Sequence, residues 1–362
     1  GRDGRGAGRA RGPGLPRRRP RPRCGRASAA QGDPPAMDAL SSLDSCIEAQ
    51  QFSRAMLEAL FVRTREMEAM VEAGRSRAGA GDAQPHPWRD ALAGKVMATI
   101  FYEPSTRTRL SFETAMCRLG GRVVSTENAR EFSSVAKGET LQDTVRTLEQ
   151  YVDLIVLRHF QAGSARLAAA AASVPVINAG DGAGQHPTQA LLDLYTIHKE
   201  LGYVAGAEVA LVGDLAYGRT ARSLAYMLAK FDGVKLFFVA PPVARMQDDI
   251  KAYLDQQGTH WCEVDDLKEV AGRVDVLYQT RIQKERYLDR PEAYDDARAG
   301  GAFAVDGALM RDMRPGAVLM HPLPRVDEIA EEVDDDPRAA YFRQARNGLY
   351  VRMALLHALL TE

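Results

Sequence analysis

Seven short apolar runs recur between residues 95 and 320: KVMATIFY (95–102), VDLIVL (152–157), VPVIN (174–178), EVALVG (208–213), VKLFFVA (234–240), VDVLY (274–278) and AVLM (317–320). Several are apolar at successive positions rather than at alternate ones, the pattern of a strand buried on both faces. Helical patterns separate them. Such a chain has few options: parallel strands joined by crossover helices that cover both faces of a sheet. The pattern therefore predicts an α/β fold of doubly wound parallel sheets, with GRVVS (121–125) as a further short strand. At 362 residues the chain exceeds what one ordinary core supports, so two such domains are expected.

Helical spacing in FSRAMLEALFVRTREMEAMVEAG (52–74) places a helix before the first run. The segment LLDLYTIHKELG (191–202) reads as a helix leaving one sheet, which puts the domain boundary near 190–206. RAAYFRQARNGLYVRMALLHALL (338–360) reads as a long amphipathic helix returning to the first domain. The expected organisation is residues 45–190 with 338–362 as one domain and 191–337 as the other.

Composition matters most at the start of the chain. Residues 1–36 hold ten Arg and two Asp, a charge of +8, so the net charge of −1 leaves −9 for the remainder. This segment is rich in Gly, Pro and Arg and nearly free of aliphatics, which predicts a disordered basic leader. Basic, acid-poor leaders resemble organellar transit peptides, although this one has a single Ser, Ser28. An unstructured extension, a translation start at Met37 and an RNA-binding arm are the other readings. Overall the charge gives no pull toward nucleic acid or membrane. No apolar stretch reaches the ~18 residues of a membrane span. The four cysteines are scattered without C-x-x-C, and the seven histidines form no H-x-x-x-H pair. Neither a disulfide framework nor a metal site is expected, and the cysteine pattern fits a reducing compartment.

Each polar cluster follows the end of an apolar run: EPSTRTR, Arg158-His159, GDGAGQHPTQ, GDLAYGRT, QTRIQKER and HPLPR. In open α/β sheets ligands bind in the crevice beyond the carboxyl ends of the strands, so these clusters are expected to converge on one crevice between the domains. The richest is FYEPSTRTRLSFETAM (101–116). Ser105 reads as a helix N-cap, Phe112, Ala115, Met116 and Leu119 form an apolar stripe, and Gly120-Gly121 ends the helix. Three hydroxyls (Ser105, Thr106, Thr108) and Arg107 thus crowd the first helical turn. There unpaired N–H groups and the helix dipole favour an anion, and guanidinium suits phosphate. Arg109 lies past the first donors and reads as a structural ion pair. Arg219 and Arg281 each stand just past a buried strand.

FYEPSTRTRLSFETAM resembles the carbamoyl-phosphate signature of the transcarbamoylases, the aspartate carbamoyltransferases in particular. The resemblance runs from about residue 50 to the end through AKGETLQDT, LRH, AGDGAGQHPTQALLDLYTI, GDLAYGRTARSL, YQTRIQKERY and MHPLPRVDEI. It implies carbamoyl transfer from carbamoyl phosphate to L-aspartate, an early step of de novo pyrimidine synthesis, with no cofactor. By resemblance, Ser105, Thr106, Arg107 and Thr108 hold the phosphate, and Arg158, Thr108 and His186 polarise the carbamoyl carbonyl. Gln189 orients the carbamoyl NH₂. Arg219, Arg281 and Gln283 hold the carboxylates of aspartate, while Pro322 and Leu323 offer carbonyls to its amine. SSVAKGE (133–139) resembles a mobile loop whose Ser133 and Lys137 reach a neighbouring subunit's site, which implies a homotrimer with shared active sites.

One residue departs from many relatives: Phe160 stands where they have Pro. The basic leader and Phe160 together resemble the plant-type subgroup, whose members are chloroplast enzymes that respond to uridylate. The expectation is that UMP inhibits with its phosphate on the carbamoyl-phosphate site, touching Arg107, Thr108, Arg158, Phe160, His186, Arg219 and Arg281. A packing role for Phe160 is the plainer reading. The rival activities are ornithine carbamoyl transfer and a catalytically silent nucleotide-sensing homologue. Pro322 replaces the Cys of the ornithine enzymes, and Arg281 would repel an ammonium side chain.

Overall fold

The computed structural model describes residues 38–76, 88–132, 134–282, 292 and 303–361. The expected leader, Ser133 and Gln283 lie outside the described residues.

Nine strands form two sheets among the described residues. The first contains β1 (Val96–Phe101), β2 (Arg122–Glu127), β3 (Leu154–His159) and β4 (Val176–Asp181), in the order β2-β1-β3-β4. The second contains β5 (Glu208–Val212), β6 (Lys235–Val239), β7 (His260–Val264), β8 (Val276–Gln279) and β9 (Val318–Met320), in the order β7-β6-β5-β8-β9. Every pairing is parallel. The connections carry α1 (Arg54–Ser76), α2 (Thr106–Arg118), α3 (Ala129–Phe132), α4 (Leu141–Leu148), α5 (Ser164–Ala171) and α6 (Pro187–Leu201). Then follow α7 (Arg219–Leu228), α8 (Asp248–Gln256), α9 (Lys268–Ala271), α10 (Gly307–Asp312) and α11 (Tyr341–Thr361).

Burial on both faces explains the unalternated apolar runs. In β1, Met97 and Phe101 join one core cluster while Ala98 and Ile100 join another on the opposite face. In β5, Val209 and Leu211 face the first of these clusters, and Ala210 and Val212 face a third. One continuous core therefore joins one face of each sheet, and α11 packs against α1, α2 and α6 within it.

Two details differ from the sequence reading. Strand β7, HWCEV, was not among the apolar runs. It is an edge strand paired on one side to β6, and its residues are half-buried or exposed, so it tolerates polar side chains. Strand β3 runs on to His159, which places Arg158 inside the strand instead of in the loop after it.

Candidate active site

The strand orders reverse at β1/β3 in one sheet and at β5/β8 in the other, and a crevice opens at such a switch point. The polar segments that follow these strands meet there. A cavity of about 330 Å³ is lined from the first sheet by Ser105, Arg107, Thr108, Arg158, His186 and Gln189. From the second sheet come Arg219, Thr280, Arg281, His321, Pro322, Leu323 and Pro324, and α11 adds Tyr341, Gln344 and Arg352.

Ser105 occupies the N-cap position of α2, but its side chain makes no capping hydrogen bond, contrary to the expectation for a simple cap. The residue lines the cavity wall beside Arg107 and Thr108, at the positive end of a 13-residue helix. The apolar stripe behind it, Phe112, Ala115, Met116 and Leu119, is fully buried and fixes that helix end. Arg109 turns away from the cavity into ion pairs with Glu127 at 2.8 Å and Glu113 at 3.4 Å.

Arg158 and Arg219 approach each other across the cavity floor. Arg158 Nη1 donates to the Ala179 carbonyl at 3.2 Å, and Arg219 Nη1 donates to the Gly182 carbonyl at 2.6 Å. Glu103 lies between them, 3.6 Å from Arg158 and 4.0 Å from Arg219. Gly180 makes this possible: its φ is +114°, and a Cβ there would stand 3.0 Å from the Arg219 guanidinium and 3.1 Å from Arg158 Nη1.

His186 is the N-cap residue of α6, with Pro187 in the first helical turn, as expected of a residue presented at a helix mouth. It is buried, and its backbone N–H donates to Ser223 Oγ at 3.1 Å. Burial, then the charges of Arg219, Arg158 and Arg352, hold its pKa well below the ordinary histidine value. The imidazole is therefore neutral near pH 7 and can donate one hydrogen bond without adding charge.

Beyond these, the cavity rests on groups that sequence reasoning did not single out. Gln189 Nε2 donates to Asp193, which is fully buried, and Tyr278 and Gln344 converge on the same carboxyl. Arg352 is buried over the Phe112 ring, 5.1 Å from its centroid. His321 Nδ1 accepts from the Leu323 N–H at 2.8 Å, so its Nε2 carries the proton that faces Glu328 Oε1 at 2.7 Å. Leu323 itself has φ +53°, a strained value for a leucine and one found where structure is fixed for a purpose. The available signal was a lone charge in an apolar helix, Asp193 in ALLDLYTI and Arg352 in YVRMALL.

Several expected contacts are not on the cavity wall. Thr106 and Lys137 are exposed and do not line the cavity. Phe160 is 43% exposed, stacks on the His159 ring at 4.3 Å, and lies under the Arg130 guanidinium at 5.0 Å. Among the described residues no group of three or more His, Cys, Asp or Glu side chains is placed to hold a metal ion.

Comparison with known proteins then decides the family. Residues 45–199 match the carbamoyl-P binding domain of aspartate/ornithine carbamoyltransferase, and residues 205–359 match its Asp/Orn binding domain. The chain belongs to the aspartate/ornithine carbamoyltransferase family. It is 59% identical over 348 residues to a chloroplastic aspartate carbamoyltransferase of Oryza sativa, covering 96% of this chain and 92% of the rice protein. The chloroplastic aspartate carbamoyltransferase of Arabidopsis thaliana is also 59% identical, over 88% of this chain and 78% of that protein. Among solved structures, aspartate transcarbamoylase from Trypanosoma cruzi in complex with carbamoyl phosphate and aspartate superposes with a TM-score of 0.82. It is 42% identical and covers 91% of this chain and 99% of that one.

Proposed function

We propose that this protein transfers the carbamoyl group of carbamoyl phosphate to the amine of L-aspartate, giving N-carbamoyl-L-aspartate and phosphate, early in pyrimidine synthesis. The observation that carries the reading is the convergence of four arginines (Arg107, Arg158, Arg219 and Arg281) and a neutral histidine on one cavity built from both sheets.

In this reading the 45–190 and 338–362 portion binds carbamoyl phosphate and the 191–337 portion binds aspartate. Ser105, Arg107 and Thr108 hold the phosphate at the mouth of α2, and Thr106, whose side chain is off the cavity wall, adds its backbone N–H in the first turn. Thr108, Arg158 and His186 donate to the carbamoyl oxygen, where negative charge grows as the amine nitrogen attacks the carbon. A neutral His186 suits this task, since a second cation would oppose the neighbouring arginines. Gln189 accepts from the carbamoyl NH₂. The new N–C bond forms as the C–O bond to phosphate breaks, and the departing phosphate takes the amine proton. Arg219, Arg281 and Gln283 grip the two carboxylates, and Pro322 and Leu323 accept from the amine. No nucleophilic side chain is required, because holding both substrates in line supplies much of the rate.

Ser133 and Lys137 then act from a neighbouring subunit of a homotrimer, consistent with Lys137 being exposed and off the cavity wall of its own chain. The chloroplastic relatives support a plastid location, with the basic leader as transit peptide. UMP is the proposed feedback inhibitor, its phosphate on Arg107 and Thr108 and its base toward Phe160, with Arg158, His186, Arg219 and Arg281 around it.

Incubating the protein with carbamoyl phosphate and either L-aspartate or L-ornithine tests the activity. Carbamoylaspartate is expected. Citrulline without carbamoylaspartate would select the ornithine reading, and no product from either would leave a silent homologue. UMP is expected to compete with carbamoyl phosphate in steady-state kinetics, and Phe160→Ala to weaken that inhibition; non-competitive behaviour would remove this part of the proposal.

A further inference from the structure

Asp193 sits one turn into α6 beyond Gln189 and has no exposed surface. Its Oδ1 accepts from Gln189 Nε2 at 2.9 Å and from Gln344 Nε2 at 2.6 Å. Its Oδ2 accepts from the Tyr278 hydroxyl at 2.7 Å. These donors come from α6, α11 and β8, so one carboxyl ties together the helix after the first sheet, the last helix and a strand of the second sheet.

Gln344 carries the connection further. It is itself buried, and its Oε1 accepts from the His321 backbone N–H at 2.9 Å. The His321 ring accepts in turn from the Leu323 N–H at 2.8 Å. An unbroken hydrogen-bonded path therefore runs from Gln189 in one wall of the cavity to Leu323 in the opposite wall.

The chemistry of an amide gives this path its purpose. The oxygen and NH₂ of a glutamine exchange places on a half-turn of the terminal torsion, and the two orientations present opposite hydrogen-bonding character. With one N–H of its NH₂ committed to Asp193, the Gln189 amide is held with its carbonyl oxygen turned away from that carboxyl. Rotated the other way, it would point a donor at a donor.

We propose that Asp193 is a positioning residue: it fixes the Gln189 amide with its oxygen available to substrate and, through Gln344, holds the 321–323 turn, so both halves of the site share one buried anchor. The proposal rests on the reading of Gln189 as the contact of the carbamoyl NH₂ and of Leu323 as a contact of the amine. Arg352 is the cation whose charge acts on this carboxyl, and burial raises the Asp193 pKa to about 7, against the hydrogen bonds from Tyr278, Gln344 and Gln189.

Three variants test it, with rate constants expressed per site titrated with a bisubstrate analogue carrying a phosphonate and two carboxylates. Asp193→Asn keeps an acceptor toward the two glutamines and turns its NH₂ toward Tyr278, so the KM for carbamoyl phosphate is expected within about threefold of wild type. Asp193→Leu removes every acceptor and is expected to raise that KM about tenfold or more, as for loss of a hydrogen bond to a charged group. Gln344→Leu breaks only the far link and is expected to raise the KM for L-aspartate more than that for carbamoyl phosphate. Equal KM values for carbamoyl phosphate in Asp193→Asn and Asp193→Leu would overturn the proposal. Should Asp193→Leu fail to fold, Gln344→Leu still decides, since an equal effect on both KM values, or none, also overturns it. A wild-type protein without carbamoylaspartate formation would remove the functional reading and this inference with it.

Discussion

Replacing Arg158 by alanine separates catalysis from folding. The backbone role of Arg158 survives, because its carbonyl accepts the Tyr102 N–H at 2.9 Å within the β1–β3 pairing whatever the side chain. What goes includes the donor to the Ala179 carbonyl at 3.2 Å and the 3.6 Å ion pair with Glu103. Glu103 keeps Arg219 at 4.0 Å, and the loss of one ordinary hydrogen bond should cost about 1 kcal/mol of stability. For a chain of this size that is a shift of roughly 2 °C in Tm. The catalytic cost is much larger. One lost donor to a developing oxyanion is worth roughly 10²–10³ in rate, or about 2.7–4 kcal/mol. Losing this cation also relieves His186, but burial is the first cause of its lowered pKa, so the imidazole stays neutral at pH 7. The variant should therefore keep the wild-type pH dependence near neutrality while kcat falls by at least a hundredfold. Steady-state formation of carbamoylaspartate together with a thermal melt makes the comparison. A kcat within tenfold of wild type would sink the carbonyl-polarising role, and a collapse of Tm by more than about 10 °C would show that the arginine is mainly structural.

Other substitutions probe different parts of the argument. The Asp193 carboxyl titrates near 3.8 when unfolded and near 7 in the folded protein, so between these values the folded state holds more protons. Its contribution to stability is complete below about pH 4 and is lost as pH rises toward 7, with a slope of up to about 1.4 kcal/mol per pH unit. Asp193→Asn should flatten that slope in urea titrations, and a parallel pair of curves would contradict it. Gly180→Ala adds a side chain at φ +114° against two guanidinium groups, so it should cost 1 kcal/mol or more, about the strain of a left-handed alanine, and raise the KM for aspartate. An unchanged KM would mean the arginines are not held by that close approach. Arg109→Ala removes ion pairs to Glu113 and Glu127 that are partly open to solvent, and should lower stability by about 1 kcal/mol or less with kcat per titrated site unchanged. A large loss of kcat would place Arg109 in the chemistry.

How much was legible in the sequence depended on the range of the interaction. The parallel α/β architecture was legible because strands covered on both faces must be apolar at successive positions, as in β5 and β6. Strand β7 was not, because an edge strand has one partner and an open side, and HWCEV satisfies both with polar residues. The same division runs through the site. Ser105, Arg107, Thr108, Arg158, His186, Gln189, Arg219, Arg281 and Leu323 line one cavity because each follows or ends a parallel strand, and such ends gather on one side of a sheet.

By itself, then, the sequence determined which residues stand at strand ends and helix mouths, since those depend on local periodicity, capping and turn chemistry. Only the tertiary structure decided what stands behind them. Gln344 reaches Asp193 across 151 positions of chain, and Tyr278 across 85. Glu103 lies between arginines carried by β3 and α7. A hydrogen bond between residues so far apart leaves no periodic trace in the chain. It exists because the two sheets share one core and bring α6, α11 and β8 together, where a buried polar group must find a partner or pay for its desolvation.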